Sequence, residues 1–139
     1  MRPYCRVGAV AGAALVSVAD QLTDTIKHLR LRAEDGNAEA MFLLGVAYAQ
    51  GRGVDRNDTA AARWFHQAAR KGHVRAKASM GYVYATGRGV RRDPVLGYIF
   101  LTQAVQQADP LAADLLTKLR RTMSPAQLKE AERRAMEAA

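Results

Sequence analysis

The tetrapeptide Gly51-Arg52-Gly53-Val54 returns whole as Gly87-Arg88-Gly89-Val90, 36 residues further on. Sliding the chain by that interval aligns Gly36–Lys71 with Gly72–Gln107 without a gap, and 12 of the 36 pairs are identical. Composition alone would give roughly three, so the chain carries an internal repeat. Ala40 matches Ala76, Gly45 matches Gly81, Tyr48 matches Tyr84 and Ala68 matches Ala104, while Trp64 faces Phe100 in the alignment.

Each repeat reads as two helices with a glycine turn between them. Asn37 can cap a first helix that runs through Gln50, in which Ala40, Leu43, Leu44, Ala47 and Tyr48 recur at helical spacing as one buried stripe. Gly51 ends it, because glycine takes the left-handed conformation cheaply. Gly53 lets the chain reverse, and Val54 is an apolar plug in a polar loop. Asn57 caps a second helix through Lys71, with Ala61, Trp64, Phe65, Ala68 and Ala69 inward, and Gly72 closes it. In the second repeat Asp93 takes the cap and Pro94 the first helical position, where its missing N–H costs nothing. Gly45 and Gly81 fall inside helices, where glycine costs about 1 kcal/mol against alanine. Close packing explains them, with the partner helix presenting Trp64 or Phe100 to the gap.

The pattern continues weakly on both flanks. Residues 21–35 read as the second helix of an incomplete leading unit, with His28 in the place of Trp64. Asp109-Pro110 opens another helix with Leu111, Ala112, Leu115, Leu116 and Leu119 inward, but Thr117 stands where glycine is expected and no glycine turn follows. Ser124-Pro125-Ala126-Gln127 is a capping-box start for a last helix that covers the end of the stack.

The 139 residues suffice for one domain, and 49% of them are hydrophobic while only 6% are aromatic. Alanine supplies 27 positions, which favours close-packed helices over strands. The net charge is +8. At the N-terminus, Arg2 and Arg6 precede thirteen mostly apolar residues, Val7 to Ala19, and then Asp20 and Gln21. A basic start, a short apolar run and small residues at Ser17 and Ala19 are the parts of a secretory signal. The run is too short to span a membrane. The expected organisation is a signal over 1–19, a helical array over 20–123 with full repeats at 36–71 and 72–107, and a capping helix over 124–139. Cleavage after Ala19 would send the chain to the periplasm or outside and remove Cys5, the single cysteine. Without cleavage it would stay in the cytoplasm. No transmembrane segment is expected in the mature chain, and the sequence is compatible with a monomer.

The repeat resembles the Sel-one-like repeat, a relative of the tetratricopeptide repeat. The resemblance rests on Ala40, Leu44, Gly45, Tyr48, Gly51, Gly53, Val54, Asn57, Ala61, Trp64 and Ala68-Ala69, and on their counterparts 36 residues later. Gly97 and Val105 depart from the family pattern. The resemblance implies an all-α fold, a short right-handed solenoid of antiparallel helix pairs, and an adaptor without chemistry of its own. It also implies that the first helix of each pair lines a concave face that takes a peptide or protein. Counted from Gly45 and Gly81, that face would present Glu39, Phe42, Val46, Ala49 and Gln50, then Arg75, Ala78, Tyr82, Ala85 and Thr86, then Asp114, Lys118 and Arg121. Phe42 and Tyr82 would either be its exposed apolar anchors, with Arg75 and Lys118 as charge contacts, or pack on a neighbouring helix.

A second surface is suggested by Arg52, Arg56, Arg88, Arg91 and Arg92, which come from equivalent loops and should gather on one edge. Such an edge suits an anionic polymer or a membrane surface. Nucleic acid is disfavoured, because no aromatic residues interleave the basic ones. Catalysis has little to stand on. His28, His66 and His73 lie apart, with His28 at a core-like position and His73 exposed after a helix stop. No cysteine or serine–carboxylate set accompanies them. Gly-Arg-Gly-Val lacks the spacing and the Lys-Ser/Thr of a phosphate loop. No metal, cofactor or enzymatic activity is expected.

Overall fold

The computed structural model describes residues 25–138. The signal-like segment 1–19, its cleavage point after Ala19 and Cys5 lie outside them. The described part of a first helix, α1, covers 25–34. It is followed by α2 (Ala38–Gln50), α3 (Asp58–Arg70), α4 (Val74–Thr86), α5 (Pro94–Gln106), α6 (Ala112–Thr122) and α7 (Pro125–Ala138). No strand occurs among the described residues. The fold is a short solenoid of helix pairs.

The caps named from the sequence set these boundaries. The Asn37 side chain accepts the Ala40 N–H at 2.8 Å and Asn57 accepts that of Ala60 at 3.0 Å. Asp93 does the same for Leu96 at 3.1 Å, with Pro94 in the first turn. At the other end of the first helices, Gly51 and Gly87 adopt φ of 69° and 75°, where a side chain would be strained. Their loops then close alike: the Asn57 N–H donates to the Tyr48 carbonyl and the Asp93 N–H to the Tyr84 carbonyl, both at 2.9 Å. Val54 and Val90 pack partly buried beneath these loops. Ser124 and Gln127 form the reciprocal capping box at 3.0 and 3.1 Å.

Helices α2 and α3 pack as one pair, α4 and α5 as the next, and α3 bridges the two by lying against α4. Helix α5 meets both α6 and α7. The core divides along α4. Ala76, Met80 and Val83 join Leu44, Phe65 and Ala68 on one side. Ala78 joins Leu101, Ala104, Ala112 and Leu119 on the other. Leu44, Met80 and Leu101 are the largest fully buried side chains.

Three packing expectations change. The mid-helix glycines receive Phe65 and Leu101, not Trp64 and Phe100: a Cβ on Gly45 would stand 2.5 Å from the Phe65 ring, and one on Gly81 would stand 2.5 Å from Leu101 Cγ. Trp64 and Phe100 lie one residue round the helix and are only partly buried, Phe100 stacking on Tyr84 at 5.8 Å. Leu43 and Leu111 are exposed rather than inward. His28, placed by register at a core position, is exposed.

Candidate functional site: a groove across the first helices

The first helices of the three units, α2, α4 and α6, enclose a groove of about 240 Å³. Val46, Ala49 and Gln50 come from α2, and Ala61 and Phe65 of α3 reach it from behind. Helix α4 supplies Arg75, Ala78, Ser79, Tyr82 and Val83, whose spacing puts them on one face. Leu111 and Leu115 close the far wall, and the polar groups of Asp58, Arg88 and Asp109 lie at the rim.

The structure thus gathers six of the residues expected on the concave face, Val46, Ala49, Gln50, Arg75, Ala78 and Tyr82, while Ala85 and Arg121 do not line the groove. Tyr82 is 40% exposed, as an apolar anchor must be. Phe42 is not: it is 8% exposed, stacks on His73 at 4.8 Å and meets Phe65 at 5.8 Å. It is a core residue, because the rings of Phe65 and His73 cover it. Glu39 stays outside the groove, with its carboxylate against His73 Nε2. The Thr86 hydroxyl turns back to the Tyr82 carbonyl at 2.8 Å. Asp114 and Lys118 pair with each other at 3.0 Å, one turn apart and exposed.

His73 is half-buried rather than exposed. It occupies the cap position that Asn37 fills in the preceding unit, and its Nδ1 accepts the Ala76 N–H at 3.1 Å. An accepting Nδ1 leaves the proton on Nε2, which donates to Glu39. Asp109 is the same position one unit later. It is buried, and its Oδ2 accepts the N–H groups of Leu111 and Ala112, both at 3.1 Å. Its Oδ1 faces Arg75 Nε at 3.9 Å. Each of these side chains therefore meets the second residue of the previous unit's first helix, Glu39 for His73 and Arg75 for Asp109.

Asp58, Asp109, Ser79, Leu111 and Leu115 were not among the expected groove residues. A signal for two of them existed: Leu111 and Leu115 stand 36 residues after Arg75 and Ser79. Asp58 enters from α3, which the first-helix rule leaves out.

Some arginines of the basic loops have partners within the chain. Arg56 pairs with Asp58 at 3.3 Å, and Arg88 faces the same carboxylate at 3.8 Å and the Tyr82 hydroxyl at 3.4 Å. That hydroxyl contact, and then Asp58, raise the Arg88 guanidinium above its ordinary pKa. Arg92 Nε donates to the Ala85 carbonyl at 3.0 Å. Arg91 and Arg92 border a different depression, beside Tyr84, Val95 and Gln127. Arg52 and Arg91 are exposed.

No group of His, Cys, Asp or Glu among the described residues could hold a metal ion. No described helix is long and apolar enough to cross a membrane.

Comparison with known proteins gives a consistent picture. The Sel1 repeat model matches residues 38–73 and 74–109. The chain is similar in structure to a protective antigen of uropathogenic Escherichia coli strains displaying an SLR fold. That likeness has 28% identity and a TM-score of 0.78, and covers 93% of this chain and 29% of that one. It is also similar to a Sel1 repeat protein from Oxalobacter formigenes, with 31% identity and a TM-score of 0.61 over 65% of this chain and 37% of that one. The chain thus spans well under half the length of either protein. No curated protein matches it.

Proposed function

The chain belongs to the Sel1 repeat family, whose members typically act as non-enzymatic protein–protein interaction modules, and we propose that it binds a peptide or partner domain along the groove between α2, α4 and α6. The observation that carries this reading is the Ala78 floor. Repeat one fills the equivalent position with Phe42 and closes it, whereas repeat two leaves open space walled by Val46, Tyr82, Leu111 and Leu115. An open apolar trough with an exposed tyrosine and two rim arginines has the make-up of a binding patch.

Affinity capture from the native source, compared between the parent chain and Ala78→Phe, tests it. The substitution fills the trough with the ring that repeat one carries. Loss of the captured partner, with helix content unchanged by circular dichroism, is the expected result. Retention of that partner by a folded variant would sink the groove reading.

The alternative, an anionic polymer or membrane surface held by the basic loops, draws less support, because Arg56 and Arg92 are engaged within the chain. Titration against heparin and anionic vesicles at two salt concentrations separates the two. Salt-sensitive binding lost in Arg52→Ala/Arg91→Ala would favour the alternative.

We also propose that the chain is exported. The support is the order of basic residues, a short apolar run and small residues before Asp20. Mass spectrometry of the mature protein should find an N-terminus at Asp20, and one at Met1 would overturn export.

A further inference from the structure

The groove's two arginines face carboxylates that are already committed. Asp109 Oδ2 is taken by the cap of α6, at 3.1 Å from two backbone N–H groups, and Arg75 approaches the other oxygen only to 3.9 Å. Asp58 is shared, with Arg56 at 3.3 Å and Arg88 at 3.8 Å. Neither groove arginine reaches hydrogen-bond range of its carboxylate. Their side chains are 56% and 40% exposed, and a guanidinium carries five donors. The rim thus offers unfilled donors of positive charge. Both Asp58 oxygens already accept from Arg56, and Asp109 is buried with a side chain only 4% exposed, which leaves little for a basic ligand to bond.

Size narrows the occupant further. A volume of about 240 Å³ falls short of the roughly 300–1,000 Å³ of small-molecule sites. It exceeds the roughly 150 Å³ that admits a benzene ring, so it holds one large or two small apolar side chains. Arg75 lies in the first turn of α4 and Arg88 just past its end. The helix between them rises about 16 Å, which an extended chain covers in roughly five residues.

Resting on the groove reading above, we infer that the occupant is an extended peptide segment with an apolar centre seated over Ala78 and a carboxylate on each side, one for Arg75 and one for Arg88. Bidentate pairing suits guanidinium to carboxylate, and the basic chain attracts such a segment over distance.

The test uses the full chain and three fluorescent peptides with blocked ends: Glu-Ala-Leu-Phe-Ala-Glu, and the same sequence with Gln or with Lys in place of both Glu residues. Fluorescence polarisation should rank them Glu, then Gln, then Lys, with the Glu form about tenfold tighter than the Gln form and weakened by salt. Arg75→Gln and Arg88→Gln should each cost the Glu form about fivefold and the Gln form much less. Equal affinity for the Glu and Gln forms, a preference for Lys, or no binding of any peptide overturns the inference. If the flanks prove irrelevant but Tyr82→Glu abolishes binding, the groove reading survives and the acidic flanks fall. Binding that persists in both Tyr82→Glu and Ala78→Phe lies elsewhere, and both readings fall.

Discussion

Repeats one and two share a backbone and differ in what fills it. The glycine stops, the caps at Asn57 and Asp93 and the ties from those caps to Tyr48 and Tyr84 recur with closely matching angles and distances. The side chains do not. Repeat one puts Phe65 over Gly45 and Phe42 against His73. Repeat two puts Leu101 over Gly81, Ala78 where Phe42 stood, and Tyr82 where Val46 stood. The lesson is that the main-chain rules build the unit, and the size of two or three inner side chains decides whether its surface is closed or open.

The sharpest way to break the likeness is at the ring that fills the glycine gap. Phe65→Ala should cost about 4 kcal/mol in urea unfolding, because the close approach of α2 and α3 leaves a void neither helix can close. Leu101→Ala, its counterpart, should cost about 3 kcal/mol. A reversed order would mean that repeat two carries more of the stability.

Next comes the contact between repeats. Gly89 has φ of 82°, and a Cβ there would overlap the main chain of Asp58 and Thr59 at the start of α3. Gly89→Ala should lose about 3 kcal/mol, combining left-handed strain with overlap against backbone that cannot rotate away. An unchanged unfolding midpoint would show that the two units shift freely on each other.

A smaller effect tests the caps. His73→Ala should cost about 1 kcal/mol, the usual value of an N-cap, and His73→Asn should recover much of that by installing the residue repeat one uses. Recovery that fails would assign the loss to the stack on Phe42 instead.

The smallest concerns α7, which has no counterpart in the repeats. Glu130 bonds Arg133 and then Arg134, and these hold its carboxyl below the ordinary value of 4.5. A folded pKa below the unfolded one means the contribution is complete above about pH 4.5 and fades as pH falls through the lower folded value. The group is fully exposed, so the loss should be slight and should vanish in Glu130→Gln, read as helix signal against pH. A parallel loss in the substituted chain would move the titration elsewhere.

What the sequence made legible was local. Caps, glycine stops and the capping box each rest on a few neighbouring residues, and they stand where the pattern put them. The inner face of α3 was legible for the same reason: polar Arg63, Gln67 and Arg70 mark its outside. Helix α2 offers no such contrast, since only Glu39 and Gln50 break an apolar run. Its buried arc is chosen by the helices on either side, so Phe42 turned inward and Leu43 outward. The groove was half legible. Val46, Ala49, Gln50, Arg75, Ala78 and Tyr82 follow from the repeat register, but the cavity depends on Leu111 and Leu115 facing them across a gap no periodicity measures.

The seat of Gly89 on the start of α3 carries one more consequence. Repeats one and two meet here main chain against main chain, and Gly89 does not line the groove. Exposed lining residues such as Tyr82 can be exchanged for others without touching that contact. A scaffold of this kind separates the shape of its binding surface from its chemical content, and a new specificity needs no new fold.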